Sequence, residues 1–211
     1  MTERQVDLNI VDAVACEAIE EAIDLLVEAD QTLVTTLRAA GSTDEAIVKL
    51  VQADRAGMLS KLVASPSFET SVDAASRRPG FIGGGTANQI GKNGERYANY
   101  IRGAIGSFTD ALPPQVARYI TVGGKLVARF YDVVEQSGEA VDALWEVKVG
   151  FTDGTRAFRQ AAADAAYKAA NPGVEVRWMF LASDVTGKVG PSQRLLTYLE
   201  EKGIKFEIRF P

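Results

Sequence analysis

Ala143-Leu144-Trp145-Glu146-Val147-Lys148-Val149-Gly150 is the stretch on which the fold turns. Trp145, Val147 and Val149 alternate with Leu144, Glu146 and Lys148, the period of two expected of a strand with one packed face. On the other face a carboxylate and an ammonium stand two residues apart in an otherwise apolar run. Such a pair marks either a solvated strand edge or a site that holds an acid and a base rigidly together.

The flanking sequence supplies the neighbours of this strand. Upstream, "RYITV" and "KLVARFYDVV" read as two strands joined by a Gly123-Gly124 hairpin turn, and Gln136-Ser-Gly-Glu139 turns the chain into the strand of Glu146. Downstream, "TRAFRQAAADAAYKAA" is a long helix stopped by Asn171-Pro172-Gly173. The strand "VEVRWMFLA", the helix "SQRLLTYLEEKG" and the strand "IKFEIRF" complete the chain. A helix opening at Asn93 or Gly94, "GERYANYIRGAIG", precedes them all. The resulting order, α-β-β-β-α-β-α-β, predicts the α+β class, with a mixed β-sheet flanked by helices.

Residues 1–76 read as a helical region. Apolar residues recur at helical spacing from Val6 to Ala40, with Gly41 as a stop. Ser42-Thr-Asp-Glu45 then has the form of a capping box, and a second helix is expected from there to about Val63. A weaker helical stretch is expected around Phe68–Ala75. Residues 77–91, with Pro79, Gly80, Gly83, Gly84 and Gly85, read as a glycine-rich linker. They do not form a phosphate loop: five residues separate Gly85 from Gly91-Lys92, one more than a Walker A motif allows, and Asn93 follows. Residues 92–211 are then the sheet-containing domain.

Composition narrows the chemistry. The 211 residues are 46% hydrophobic and 24% charged, a globular balance. No apolar run approaches the ~20 residues of a membrane span, and no signal-peptide core follows the polar N-terminus. The single cysteine, Cys16, excludes an internal disulfide framework. Cytoplasmic action is the expectation, in the producing cell or in a target cell reached without a signal peptide. The absence of histidine excludes Ser-His-Asp and Cys-His triads and His-ligated zinc. Charge is uneven: residues 1–76 carry 5 Lys/Arg against 14 Asp/Glu, and residues 77–211 carry 18 against 14. The basic excess, with Arg96, Arg102, Arg118, Lys125, Arg129, Arg156, Arg159 and Lys168, suits a phosphate-rich partner.

A hairpin centred near Glu139 sets Asp132 opposite Glu146, where side chains stand about 5 Å apart. Two carboxylates that close repel one another and resist desolvation, and a hard divalent cation, Mg²⁺ or Mn²⁺, relieves both. Lys148, one pleat along on the face of Glu146, can then position a water or offset charge on a phosphate. The competing reading of Glu-x-Lys is a solvated strand face with weak electrostatics.

Glu95 in "GKNGERYANYI", Asp132 in "RFYDVV", and Glu146 and Lys148 in "LWEVKVG" together resemble the PD-(D/E)xK, or restriction-endonuclease-like, nucleases, over about residues 88–211. The likeness is greatest to the nuclease domains of bacterial polymorphic toxins. It departs from the pattern in having Tyr131 where proline is usual and the bulky Trp145 before Glu146. The resemblance implies a restriction-endonuclease-like sheet, with Asp132, Glu146 and Glu95 as metal ligands and Lys148 orienting the attacking water. Gln160, with Asp164 on the helix after the Glu146 strand, would support the metal or touch substrate; the alternative for both is a plain polar helix face. It further implies a metal-dependent nuclease acting on DNA or RNA, with DNA favoured, and an antibacterial effector held by an immunity protein. Alternatives are an inactive nuclease-fold binding protein and a phage or housekeeping DNA-processing nuclease.

Overall fold

The alternating stretch lies in one strand, Ala140–Val149, but both of its faces are covered. Trp145 and Val147 are buried on one face, and Leu144 and Glu146 on the other. The expected single packed face is thus only half of the arrangement. A glutamate can sit on the second face because cations within the fold neutralise it.

The computed structural model describes residues 17–27, 30–54, 57–73, 85–183 and 188–210. The helix expected between residues 6 and 16, and residues 77–84 of the expected linker, lie outside them. In chain order the elements are α1 (residues 17–27), α2 (Gln31–Ala39), α3 (Asp44–Ala53), α4 (Leu59–Val63), β1 (Phe68–Asp73), α5 (Ala87–Ile101), β2 (Ala117–Val122), β3 (Lys125–Phe130), β4 (Val133–Ser137), β5 (Ala140–Val149), α6 (Thr155–Ala170), β6 (Glu175–Leu181), α7 (Gln193–Glu201) and β7 (Lys205–Phe210). The fold is α+β: a mixed five-stranded sheet ordered β1-β7-β6-β5-β4, a two-stranded ribbon β2-β3, and helices around them. No helix among the described residues is long and apolar enough to cross a membrane.

Polar side chains at helix starts decide the boundaries that spacing alone misplaces. The Asp30 carboxylate accepts the Leu33 N–H at 2.9 Å, so a new helix, α2, starts where one long helix was expected. Thr43, rather than Ser42, caps α3 by accepting from Ala46 N–H. Asp54 accepts the N–H groups of Met58 and Leu59 at 2.8 and 2.6 Å and so separates α4 from α3. Thr86 and Gln89 form a reciprocal capping box, which opens α5 at Ala87, within the expected linker and two turns ahead of Asn93. Residues 68–73 are strand β1 rather than helix, paired in parallel with β7 at the sheet edge.

The expected strand "KLVARFYDVV" is also two strands. Its first half, β3, pairs only with β2 across Gly123 and Gly124, whose φ of 57° and 79° suit a tight hairpin turn. After Tyr131 and Asp132 the chain enters the main sheet as β4, antiparallel to β5, with Val133 opposite Trp145. The crossovers β5-α6-β6 and β6-α7-β7 make the remaining pairings parallel.

One side of the sheet packs on α5, where Tyr97 and Ala98 meet Trp145, Val147, Met179 and Leu181. The other side packs on α6, α7 and the N-terminal helices: Trp178, Phe180 and Phe206 share one apolar cluster with Ala161, Leu195, Leu37, Ile47 and Leu62. The acidic first third therefore completes the main core as well as supplying the edge strand. Gly94 brings α5 close to β5, since a Cβ there would lie 2.5 Å from Val149 Cγ2.

Candidate functional site

Asp132 sits at the break between ribbon and sheet, and β5 holds it at two points. Its N–H donates to the Trp145 carbonyl at 2.9 Å, and its Oδ2 accepts the Val147 N–H at 2.7 Å. These bonds bring its carboxylate beside the strand residues flanking Glu146, where the sequence placed it. Asn99 of α5 fixes the helix to the same point. Its side-chain amide donates to the carbonyls of Glu95 and Asp132, each at 2.8 Å. The adjoining Gly94 contact and the Asn99 clamp thus place Glu95 toward Asp132.

Glu146 is 2% exposed and saturated by cations. Lys148 Nζ donates to its Oε1, and Arg129 Nη2 donates to its Oε2 at 2.5 Å. Arg129 comes from the ribbon strand β3 and also grips Asp164 of α6 through Nε and Nη2, at 2.7 and 3.2 Å. The Trp178 indole N–H adds 2.9 Å to Asp164 Oδ2. Burial works against the Arg129 charge, yet Glu146 and Asp164 outweigh it and hold the guanidinium above its ordinary pKa. Asp164, read from the sequence as paired with Gln160 at the site or as part of a polar helix face, is neither: it is wholly buried behind Arg129.

These groups open onto a cleft of about 810 Å³ whose wall includes Glu95, Asp132, Glu146, Lys148, Arg156 and Gln160. All five residues assigned to the chemistry from the sequence thus line one cavity. Burial pushes the Asp132 carboxyl up to about 7, and the Glu146 charge pushes the same way against the Val147 N–H and Lys148. Burial also raises Glu95, against the pull of the Gln115 amide, which donates to its Oε1 at 3.1 Å. Gln160 Oε1 is buried with no hydrogen-bond partner among the described residues. A buried carbonyl without a donor is costly, so this oxygen is suited to a water or ligand in the cleft.

The donors present fit a small hard cation. Carboxylate and amide oxygens are the ligands that Mg²⁺ and Mn²⁺ prefer. Since Lys148 and Arg129 occupy both Glu146 oxygens, a cation there would take the place of the Lys148 ammonium at Oε1. Among the described residues no three carboxylate, histidine or cysteine groups converge as a complete ligand cluster. Asp132, Glu146 and Glu95, which all line this cleft, would be the protein ligands, with water filling the remaining positions, as Mg²⁺ commonly retains several.

The basic residues divide in two. Arg96 donates to the carbonyls of Phe108 and Asp110, Arg102 pairs with Glu207 at 2.6 Å, and Lys168 donates to the Gly203 carbonyl. With Arg129, these four hold the fold together. The side chains of Arg118, Lys125, Arg156 and Arg159 make no hydrogen bond or ion pair among the described residues, and Arg156 lines the cleft.

Sequence reasoning missed Asn99, Gln115, Trp178 and the structural role of Arg129. No local signal marked them: Arg129 is captured by Asp164, 35 residues on. No family model matches the sequence, no curated protein matches it, and no solved structure matches it.

Proposed function

We propose that the chain is a metal-dependent nuclease with a restriction-endonuclease-like core, cutting phosphodiester bonds of nucleic acid at the Asp132–Glu146–Lys148 cleft. The observation that carries this reading is the Val147 N–H bond to Asp132 Oδ2, which holds a second carboxylate beside Glu146 at the mouth of an open cavity. Asp132, Glu146 and Glu95 would hold Mg²⁺ or Mn²⁺. A bound cation would supply Lewis-acid stabilisation of the phosphoryl oxygens.

The chain's own groups do the rest. The Lys148 ammonium orients the attacking water and offsets negative charge building on the phosphoryl oxygens. The water oxygen bonds to phosphorus and gives up one proton to solvent, as the bond from phosphorus to the leaving oxygen breaks and that oxygen takes a proton from solvent. Glu95 holds a water from the α5 side, and Gln160 Oε1 accepts a hydrogen bond from water or substrate. Arg156, at the rim, binds a neighbouring phosphate.

A second reading has one observation in its favour. Arg129 and Lys148 already saturate Glu146, as they would in an inactive binding protein that keeps the carboxylate only for its fold. Purified protein with plasmid DNA or total RNA and Mg²⁺ separates the two. The nuclease reading expects cleavage that falls about 10²–10³-fold in Glu146→Ala and Lys148→Ala, in line with losing one transition-state stabilising group. Equal cutting by both variants and wild type would remove these residues from the mechanism. No cutting by folded wild type on either substrate favours the binding protein.

A further inference from the structure

Seven large apolar side chains among the described residues are exposed, and five of them, Val116, Tyr119, Leu126, Val127 and Phe130, fall within residues 116–130. A concentration of this kind on one small element marks a contact surface rather than chance exposure. The ribbon register explains it. Tyr119 lies opposite Ala128, Thr121 opposite Leu126, and Ala117 opposite Phe130, so these six residues share one face. Arg118, Ile120, Val122, Lys125, Val127 and Arg129 alternate onto the other, where Arg129 reaches Asp164 of α6. Of the exposed apolar residues, Tyr119, Leu126 and Phe130 thus share the first face and Val127 does not.

The outer face has two further properties. Its small members, Ala117, Thr121 and Ala128, leave the rings of Tyr119 (67% exposed) and Phe130 (46% exposed) standing clear. The stripe also does not stop at the ribbon. Ala128 and Phe130 are themselves part of the cleft wall, together with Phe151, Asp132 and Lys148. Tyr119 and Phe130 are diagonal neighbours across the two strands, a spacing of about 7–8 Å.

We infer that this face is a stacking platform which receives the bases of an unpaired nucleic-acid strand and leads its backbone into the cleft. The inference rests on the nuclease reading and names its substrate class as single-stranded. Aromatic rings bind the flat faces of bases without regard to sequence, but only when those bases are not stacked within a duplex. Arg156 at the cleft, without an ion-pair partner among the described residues, stands on the path for phosphates. A protein occupant or a second copy fits less well. Strands of six residues give a ribbon face of about 20 by 10 Å, or roughly 200 Å², against the ~800 Å² per partner of a stable protein interface.

The test is equilibrium binding of the full chain, in EDTA to prevent cleavage, to a fluorescein-labelled 12-mer of deoxythymidylate and to a duplex of equal length. The exposed positions allow Tyr119→Ala/Phe130→Ala without disturbing the core, and Tyr119→Phe keeps a ring. The single strand should bind more tightly than the duplex. The double variant should lose at least about tenfold in single-strand affinity, Tyr119→Phe should lose little, and Mn²⁺ binding should be unchanged. Equal affinity for both probes, or a double variant that binds like wild type, overturns the platform. So does sedimentation showing a wild-type dimer that the double variant abolishes, which would make the ribbon a self-interface. Absence of cleavage on every substrate, with single-strand binding intact, would instead refute the nuclease reading and leave the platform standing.

Discussion

Glu146 and Glu207 are buried to the same degree, each 2% exposed, in the same sheet and each beside an arginine from another element. Glu207, on β7, lies on the α5 side between Arg102 and Arg209, at 2.6 and 2.7 Å. Arg102 also covers the Trp145 ring at 3.8 Å and reaches Glu135 at 3.4 Å, so that corner is closed by charge pairing and stacking. Glu146, on the opposite side, has one locked cation, Arg129, and one at a cleft, Lys148. It also has a second carboxylate close by. Burial with an arginine is therefore a structural device common to both corners. What sets the Glu146 corner apart is Asp132 and an acceptor, Gln160 Oε1, without a partner among the described residues; at the Glu207 corner the atom left without one is a donor, Arg102 Nε.

That contrast can be broken by substitution. Asp164→Ala should be the most damaging change, costing about 3–5 kcal/mol, because it removes one of the two buried carboxylates that Arg129 holds, leaving Glu146 alone, and leaves the Trp178 N–H without its acceptor. Glu207→Gln should cost less, about 1–3 kcal/mol, since Arg102 and Arg209 are 20% and 15% exposed and can turn toward water. Urea denaturation of both variants checks the order. A larger loss at Glu207 would mean that the Arg129 pairing is not the tighter of the two.

Gly94→Ala tests how α5 delivers Glu95. The new methyl would meet Val149 Cγ2 at 2.5 Å, an overpacking cost of about 1–3 kcal/mol that the better helix propensity of alanine offsets by about 1. A modest net loss of stability with reduced cleavage is expected. Unchanged stability and cleavage would show that the close approach has no functional consequence.

The smallest effect is a pH dependence at the Asp132 corner. The Asp132 pKa is raised in the fold to about 7 from the 3.8 of a free side chain, so the proton binds the folded chain more tightly. Its stabilising contribution is complete below pH ~4 and is lost as pH rises through about 7. Metal-free protein should thus lose stability between about pH 4 and about pH 7 and level off above that, and Asp132→Asn should flatten that slope. A slope equally steep in the variant would assign it to other groups.

Much of this was legible in the sequence, for definable reasons. Strand periodicity and glycine turns placed β2, β5, β6, α6, α7 and β7, because each carries its own local signal. The boundaries at Asp30, Asp54 and Thr86 were missed, since a side chain capping a helix outweighs apolar spacing that runs straight through it. β1 was read as helix because a parallel edge strand of six residues is stabilised by pairing with β7, 138 positions away at Phe68 and Phe206, and not by its own pattern. At the site, Glu95, Asp132, Glu146, Lys148 and Gln160 were brought to one cleft as expected. Arg129 looked like a free cation for phosphates, because nothing local reveals that Asp164, 35 residues on, captures it.

The central claim is that Asp132 and Glu146 form a cation site that Glu207 and its arginines do not. Calorimetric titration with Mn²⁺ tests it most directly. Wild type should bind one ion, Asp132→Asn should bind it at least about tenfold more weakly, and Glu207→Gln should match wild type. No binding by wild type, or an Asp132→Asn variant that binds as wild type does, would contradict the account.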